Sequence, residues 1–585
     1  MNSSLPKSEV IWLRFAAMRA ATWAVVCILV GSFGCGPKAR QNSDDVGPCT
    51  DGMLHCDGLT LQKCVDGDFR DSEECPQACA DDLGCVLCAP GTGTCNGNES
   101  HACNSTGTGY DDTTCDPVQG STCDPNTGQC TGTCAPQNLG DSYIGCEYYP
   151  TVTGNMVSSS YNFAVAIANT SNGVANVTID GGALTTPLTV AVQPNSVKVQ
   201  TLPWQAALKL CMGLSWANCA SGVQQDAAQV AKGAFHLRST EPVTVYQFNP
   251  LEYTLPGVES SFSNDASLLL PTNVWRSDYY VASWQQVGGT NPGLLAVTAR
   301  FDNTQVTIMP KASTTAAQGA PAFVAGTPSM VTLDAGDVLE ISTRTGDLTG
   351  SHVTTDKPSQ VIGGHYCANV PETIGYCDHI EESMFSVDAL GRRYMITAPA
   401  VTSLPNGKVQ TIRIIATQPN TMLTYTPPQA GAPTTIAAPG DFVEIPNSTA
   451  AFMVEGNEKI LVAQYMSGQD AGGNTGDPAM ALAVPVEQFR TSYLFHAPTN
   501  YESNYVDVTA PDGAMVMLDG APLAFTPIGT TGFGFVRVFP LTAGPANDGN
   551  HSITGSAAFG ITVYGYGQYT SYWYPGGLNL TDIIN

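Results

Sequence analysis

Charge is scarce in this sequence, and basic charge is the scarcest. Only 12% of the 585 residues are charged, and 23 Lys and Arg stand against 50 Asp and Glu, for a formal net charge of −27. A nucleic-acid-binding surface needs clustered Lys and Arg to neutralise phosphates. The composition therefore argues against a nucleic-acid partner.

The sequence also lacks the short motifs of common enzymes. It contains no His-Glu-x-x-His, no Gly-x-Ser-x-Gly and no Gly-rich phosphate loop placed between a strand and a helix. We therefore predict no catalytic residue, no cofactor and no metal site, and a secreted hydrolase is the least favoured function.

One local cluster has metal-ligand chemistry, and it comprises His365, Cys367, Cys377, Asp378 and His379, followed by Glu381 and Glu382. We interpret it as a disulfide-tied loop with exposed polar residues. His236, His352 and His551 each begin the strand that leads into a repeated terminal strand, and equivalent scaffold positions explain them better than a catalytic triad does.

Convincing amphipathic helices are almost absent outside residues 204–231, a stretch that holds Cys211 and Cys219 and that we interpret as an inserted excursion. Gly and Pro are abundant, and Thr and Val dominate the apolar runs. β-branched residues between turn formers favour strands. The sequence predicts an all-β fold.

A block of about a hundred residues recurs four times, which is typical of tandem β modules. Each copy is predicted to begin with a strand pair, and three copies continue with a second hairpin. The strand pairs span residues 163–179, 294–308, 412–425 and 505–518, and the second hairpins span residues 190–199, 331–341 and 436–445.

Each copy ends on a strand that aligns without gaps, at residues 242–248, 360–366, 459–465 and 560–566. A connector with regular apolar spacing opens the later copies, as in Pro271, Trp275 and Tyr279, but none is recognised before the first copy. The apolar tail, residues 569–580, could supply a missing strand. We expect tandem β-sandwich-like modules; the alternative is a closed propeller-like ring.

The amino end has the pattern of an export signal. Lys7, Arg14 and Arg19 precede a short apolar run that stops at Gly34-Cys35-Gly36. Signal peptides of bacterial lipoproteins are similar to this pattern, and the resemblance implies that Cys35 receives the lipid. Ordinary secretion with cleavage nearby is the alternative.

Cysteine usage agrees with export. Fourteen cysteines lie within residues 49–146, and twelve of them form two sets of six whose first three members are spaced identically. We predict two three-bridge knots of open connectivity, a clasp between Cys134 and Cys146, and local pairs Cys211 with Cys219 and Cys367 with Cys377. Zinc binding at Cys85 and Cys88 is a disfavoured alternative.

These boundaries divide the chain into a signal (1–35), a linker (36–48), a cysteine-rich region (49–146) and β repeats at 147–250, 251–368, 369–467 and 468–585, the last with the closing strand. A string of terminal aromatic residues, Tyr564, Tyr566, Tyr569, Tyr572, Trp573 and Tyr574, is predicted to be a buried closing strand, and a stacking surface for sugars or an interface hot spot is the alternative.

Several motifs in order carry a family resemblance. They are the run from Ser267 to Pro271 with Trp275 and Tyr279, the turn at Asn303-Thr304 before Val306 to Ile308, and Asp356-Lys-Pro358 leading into Gly363-Gly-His-Tyr366. Residues 147–580 resemble the N-terminal domain of the IgG Fc-binding protein family, which also occurs in bacterial exported proteins. The resemblance implies a binding function.

Together these features predict a cell-surface, lipid-anchored binding or adhesion protein of the envelope that displays its β repeats to a protein or glycan. A structural envelope or matrix protein that self-associates through sheet edges is the alternative function, and a secreted form is the alternative location.

Overall fold

The computed structural model describes residues 49–583 except 222–225, 286–290, 402, 405–406 and 472. The predicted export signal and Cys35 lie outside these residues. Within them the chain is all-β as predicted, with many short strands, two short helices and a few 3₁₀ turns. In this described part, no helix is both long enough and apolar enough to span a bilayer.

The described residues through Cys85 form one compact unit. Its strands are β1 (Leu54–Asp57), β2 (Thr60–Val65), β3 (Asp68–Glu74) and β4 (Ala78–Ala80), and β5 (Gly84–Val86) begins within it and ends at its boundary. Disulfides join Cys49 to Cys64, Cys56 to Cys79 and Cys75 to Cys85. Apart from Cys64 and Cys75, Leu61 is the buried hydrophobic residue of this unit. Three bridges therefore replace an apolar core here.

From Val86 onward the chain forms a second compact unit. It opens with β6 (Gly93–Asn96), β7 (Glu99–Cys103), β8 (Tyr110–Thr114), β9 (Thr122–Cys123) and β10 (Cys130–Thr131), with 3₁₀ turns at Pro117–Gln119 and Pro136–Asn138. The disulfides Cys88–Cys103, Cys95–Cys123 and Cys115–Cys130 repeat the order of linkage of the first knot.

Module 1 contains β11 (Gly145–Tyr148), β12 (Phe163–Asn169), β13 (Ala175–Gly181), β14 (Leu188–Val192), β15 (Ser196–Leu202), α1 (Ala206–Lys209), α2 (Trp216–Ser221), β16 (Ala227–Val230), β17 (Phe235–Phe248) and β18 (Ala266–Leu269). Module 2 contains a 3₁₀ turn (Thr272–Val274), β19 (Arg276–Tyr280), β20 (Gly293–Ala299), β21 (Thr304–Met309), β22 (Ser329–Leu333), β23 (Val338–Thr343), β24 (His352–Ala368) and β25 (Asp378–Ser383).

Module 3 contains a 3₁₀ turn (Val387–Ala389), β26 (Arg393–Ile396), β27 (Gln410–Ala416), β28 (Thr421–Thr426), β29 (Thr435–Ile436), β30 (Phe442–Ser448), β31 (Phe452–Gly456), β32 (Ile460–Met466), a 3₁₀ turn (Gln469–Ala471) and β33 (Met480–Leu482). Module 4 contains a 3₁₀ turn (Val486–Gln488), β34 (Arg490–His496), β35 (Ser503–Pro511), β36 (Val516–Leu518), β37 (Ala521–Pro522), β38 (Thr526–Pro527), β39 (Phe533–Val538), β40 (Asn550–Gly567) and β41 (Thr570–Pro575).

Each module is a sandwich of two antiparallel sheets. Module 3 has two separate four-stranded sheets, ordered β26-β31-β28-β29 and β30-β27-β32-β33. In the other modules one long strand, β17, β24 or β40, runs through both sheets, so its first half pairs in one sheet and its second half in the other. The prediction of β-sandwich-like modules is confirmed, and the described residues do not form a closed propeller.

The predicted hairpins are wrong in their partners. The strands on either side of the first turn, β12 and β13, both pair with β17 rather than with each other. Likewise β14 pairs with β13, and β15 pairs with β12. The turns carry the chain from one sheet to the other, and alternating apolar residues reveal a half-buried strand without identifying its neighbour.

Four strands, one from each module, meet in the middle of the second unit. These inner strands are β18, β25, β33 and β41, and each pairs with the strand that precedes it in its own module, which is β17, β24, β32 or β40. Contacts join β18 to β25 and β41, and join β33 to the same two strands. The tail of the chain thus supplies the fourth inner strand.

A repeated tyrosine fixes the start of every module. The Tyr279 hydroxyl accepts a hydrogen bond from the Arg276 main-chain N–H at 2.9 Å and donates to the Ser359 carbonyl at 2.9 Å. Tyr394 and Tyr493 occupy the same position in modules 3 and 4. Tyr148 does so in module 1, so a shortened connector precedes the first copy after all.

The excursion within residues 204–231 has a structural role. After two short helices it forms β16, which pairs antiparallel with β23 of module 2. Buried Lys209 sits over the Trp204 ring, 5.1 Å from its centroid, and donates to the Cys211 carbonyl at 2.7 Å. The excursion therefore ties module 1 to the sheet of module 2.

Candidate functional site

Three aromatic side chains from three modules converge beside the beginnings of the inner strands. Phe262 precedes β18, Tyr376 precedes β25 and Tyr569 precedes β41. They line a cavity of about 460 Å³ together with Asn369, Cys377 and Asp477. We refer to this cavity as the aromatic pocket. Its volume lies within the usual range for small-ligand sites.

All three aromatic residues have left-handed backbone conformations. The φ angles are +50° at Phe262, +65° at Tyr376 and +61° at Tyr569. Bulky side chains rarely adopt this region, which costs about 1–2 kcal/mol per residue. Asn474 has φ +51° in the loop before the inner strand of module 3, where asparagine tolerates the conformation better. A left-handed residue thus precedes the inner strand of every module, and in three of the four modules it carries an aromatic ring.

The rings form an open, partly solvated cluster. The centroids of Tyr376 and Tyr569 are 4.8 Å apart, and those of Phe262 and Tyr569 are 5.9 Å apart in an edge-on arrangement. Tyr376 is 48% exposed. The Tyr569 main-chain N–H donates to Gln469 Oε1 at 3.2 Å. An exposed aromatic cluster on a fixed backbone can stack against a ligand with little loss of conformational entropy.

Two carboxyl groups, Asp470 and Asp477, lie near the pocket. The neighbouring Tyr569, then Asp470 and Asp477, raise the pKa of the Tyr376 hydroxyl. Burial raises the pKa of Asp477 to about 7, and burial lowers the pKa of Lys408 to about 7. The Lys408 ammonium donates to the Thr475 and Gly476 carbonyls at 3.0 and 2.8 Å. Lys408 is fully buried, and its positive charge lowers the pKa of Asp477, which lines the pocket.

The inner strands behind the pocket meet at one carboxylate. Asp265 is fully buried; its Oδ2 accepts from the main-chain N–H groups of Glu381 and Met480, at 3.0 and 3.3 Å. Its Oδ1 accepts from the N–H groups of Ala266 and Trp573, at 2.9 and 3.1 Å. One side chain therefore holds all four modules. Burial raises its pKa, and three of these N–H groups oppose that shift.

A hydrogen-bonded network surrounds this centre. Glu381 accepts from Gln247 at 2.7 Å and from Asn249 at 3.1 Å, and His379 Nε2 lies 3.2 Å from Glu381 Oε2. Asn249 Nδ2 also lies 3.1 Å from His379 Nε2. Modules 1 and 2 are joined by these buried polar contacts.

The expectation of exposed polar residues around Cys367 and Cys377 is wrong. His365, Asp378, His379, Glu381 and Glu382 are all fully buried. Burial lowers the pKa of His365 to about 3. These side chains lie on an inner strand or its partner. Glu381 and Glu382 contact module 1, and Asp378 accepts from Thr570 and Ser571 of module 4. In the described part of the chain no group of three or more His, Cys, Asp or Glu has an arrangement that could hold a metal ion.

The cysteines singled out in the sequence lie in bonded pairs. The sulfur–sulfur distances are 2.00 Å for Cys211–Cys219, 1.91 Å for Cys367–Cys377 and 1.91 Å for Cys134–Cys146. The first two pairs pack together around Met156. Cys377 follows Tyr376 directly, so this bridge restrains a loop that forms part of the pocket. The candidate zinc ligands Cys85 and Cys88 are bonded to Cys75 and Cys103.

The aromatic residues of the tail differ in burial. Tyr564, Tyr566, Tyr572, Trp573 and Tyr574 are buried, as the closing-strand interpretation predicts, and Tyr569 alone of the set reaches the surface. Sequence reasoning missed Phe262 and Tyr376. The available signal was an aromatic residue shortly before the inner strand of three copies, but the inner strand itself was not recognised as a repeated element.

The three strand-initial histidines have matching surroundings. His236, His352 and His551 each approach a carboxylate, at 2.8, 2.6 and 2.7 Å, and each stacks on an aromatic ring. Their partners are Glu147, Asp278 and Asp519. Equivalent positions in separate modules explain these residues as parts of the scaffold.

Comparison with known proteins identifies relatives of this chain. The family model described as IgGFc binding protein matches residues 265–565, which run from Asp265 to near the end of β40. The human IgGFc-binding protein is 26% identical over 231 residues, which is 39% of this chain but 4% of the human protein. This chain therefore matches only a small part of that relative. Because the family model covers just over half of the sequence, this chain belongs to the IgGFc binding protein family.

Proposed function

We propose that this protein is an exported binding protein, held to the cell envelope by a lipid on Cys35, that presents its β modules to a protein or glycan partner. The family match supports a binding function. The nine disulfides among the described residues support an oxidising compartment outside the cytoplasm. The aromatic pocket carries the proposal, because it exposes aromatic rings on strained backbone.

Strain and exposure together distinguish the pocket from ordinary surface. Most large aromatic side chains of the modules are buried in the sandwich cores. Tyr376 remains half exposed on a left-handed backbone next to a disulfide. Backbone strain persists where the surrounding structure enforces it, and such residues cluster at binding sites. Aromatic residues are also the side chains most often responsible for binding energy.

Binding is tested with the purified full chain on a glycan array and against an IgG Fc fragment, the latter because of the name of the human relative. Tyr376→Ala should weaken a genuine interaction, and Tyr110→Ala is the matched control because Tyr110 is 45% exposed outside the pocket. Equal binding by both variants would place the binding surface elsewhere.

The lipid anchor is tested in cells expressing the intact chain or its Cys35→Ala variant, grown with a labelled fatty-acid analogue. Label and envelope retention that disappear in the variant support the anchor. Unlabelled, soluble protein from both chains would overturn it and leave a secreted binding protein.

A further inference from the structure

We propose that the aromatic pocket binds an organic ammonium cation, either a free quaternary amine or the cationic side chain of a protein partner. This inference rests on the proposed binding function and specifies its ligand chemistry. It is carried by the three aromatic rings and the carboxylate that line one cavity.

Ring geometry suits a cation. Tyr376 and Tyr569 are tilted by 46° and lie 4.8 Å apart, and Phe262 meets Tyr569 at 75°. Rings set at angles to one another form walls rather than a flat platform. A cation inside such walls is attracted to the electron-rich face of each ring, and aromatic cages recognise quaternary ammonium groups in this way.

Charge complementarity points in the same direction. Asp477 lines the cavity, and Asp470 Oδ2 lies close to Gly375, at 2.9 Å from the position that a Cβ atom would take there. The nearby buried Lys408 is bound to two carbonyls and also interacts with Asp477, so it balances part of that carboxylate's charge from behind the pocket, whereas Asp470 has no such partner cation among the described residues. The whole chain carries a net charge of −27. An anionic ligand would meet repulsion at this pocket.

Hydrogen bonding disfavours a neutral sugar. A sugar needs several donors and acceptors that are free to meet its hydroxyls. Asp477 Oδ1 already accepts from the Gln469 main-chain N–H at 3.0 Å. Asn369 Nδ2 donates to the Ile374 carbonyl at 2.6 Å. The Tyr376 and Tyr569 hydroxyls interact with each other. One Asp477 oxygen, the Asn369 amide N–H₂ and the two hydroxyls therefore already have partners within the protein, and the ring faces are the main means of recognition.

The test is a titration of the full chain with choline and tetramethylammonium, followed by saturation-transfer NMR. The neutral isostere of choline, 3,3-dimethylbutan-1-ol, has nearly the same shape without the charge. We expect both cations to bind and the isostere to bind about tenfold more weakly, as the loss of a cation–π contact implies. Equal binding of the isostere would overturn the inference in favour of an apolar pocket.

Substitutions in the aromatic pocket test whether the cation binds there. Tyr376→Ala should weaken cation binding by about threefold to thirtyfold, whereas Tyr376→Phe retains the ring and should bind almost normally. Tyr110→Ala is the control for an exposed tyrosine outside the pocket. Above pH 7, where the Asp477 carboxyl is ionised, Asp477→Asn removes its charge and should also weaken binding. Unchanged affinity in both Tyr376→Ala and Asp477→Asn would contradict the site.

The outcomes separate this inference from the proposed function. If methyl glycosides bind and choline does not, the ammonium inference fails while a glycan-binding function survives. If a protein or glycan partner binds equally well to the wild type and to Tyr376→Ala, and no cation binds, the inference fails and binding takes place at another surface. Cation binding without any macromolecular partner would support the pocket and count against adhesion.

Discussion

The first cysteine knot and the β modules are stabilised in different ways. In the described residues through Cys85, three disulfides hold short strands around a single buried leucine. In the modules, one apolar cluster extends from Tyr143 to Leu580 and a second fills the sandwich of module 3. In the knot, disulfides lower the conformational entropy of the unfolded chain. In the modules, removal of apolar surface from water drives folding.

The largest expected effect is the loss of protease resistance in the first knot when its disulfides are reduced. Each bridge of the first knot closes a loop of 10 to 23 residues and should contribute about 3 kcal/mol. With a reductant, we expect trypsin to cleave rapidly at Lys63 and Arg70, while the partly exposed Arg393 in module 3 stays resistant. Mass spectrometry of timed digests measures this. A knot that resists trypsin after reduction would mean that apolar packing holds it.

Asp265→Asn should cause the next largest loss. An amide replaces one carboxylate oxygen, so its N–H₂ group faces two main-chain N–H donors that then lose their acceptor. Leaving two buried donors unsatisfied should cost about 3–5 kcal/mol. The midpoint of urea unfolding of the modules should fall, while the disulfide-bonded first knot keeps its protease resistance. An unchanged midpoint would show that the inner strands do not depend on this carboxylate.

Glu147 makes the stability of the modules depend on pH. Burial would raise the pKa of this carboxyl, but hydrogen bonds from His236 and Thr272 and the charge of Arg300 bring it to about 2, below its usual 4.5. A carboxyl with a lowered folded-state pKa stabilises above its unfolded-state value, and this contribution disappears as the pH falls from about 4.5 to 2.

The loss should be about 3 kcal/mol by linkage. Glu147→Gln should be less stable than the wild type at pH 7 and should show a smaller decline on acidification. Thermal unfolding across this pH range measures the difference. Parallel curves for the two proteins would exclude Glu147 as the cause.

The smallest effect on stability is expected at the repeated tyrosine that begins each module. Tyr279→Phe removes the hydroxyl that links the Arg276 N–H to the Ser359 carbonyl, and both groups lose a buried partner. We expect a loss of about 2 kcal/mol in the unfolding free energy. Tyr110→Phe, in an exposed strand of the second knot, should change stability by less than about 0.5 kcal/mol. Similar losses of stability in both variants would contradict the proposed role of the repeated tyrosine.

The sequence alone determined the fold class, the repeat and the cysteine-rich region. Strand-favouring residues and turn-forming residues mark strands and turns by local preference. The four copies and their terminal strands could therefore be identified from the sequence. The aligned strand at residues 242–248 is indeed the second half of β17. Cysteine spacing likewise identified two equivalent sets, although it left their pairing open, because pairing depends on which strands are neighbours.

Only the tertiary structure decided which strands pair and where the candidate site lies. The turns near Asn195 and Asn303 look like hairpin turns, yet they join strands of different sheets. Packing the apolar faces of the two sheets against each other outweighs local pairing. Phe262, Tyr376 and Tyr569 are over a hundred residues apart and share no motif. They meet because the inner strands of four modules pack around Asp265, a contact that no local pattern in the sequence encodes.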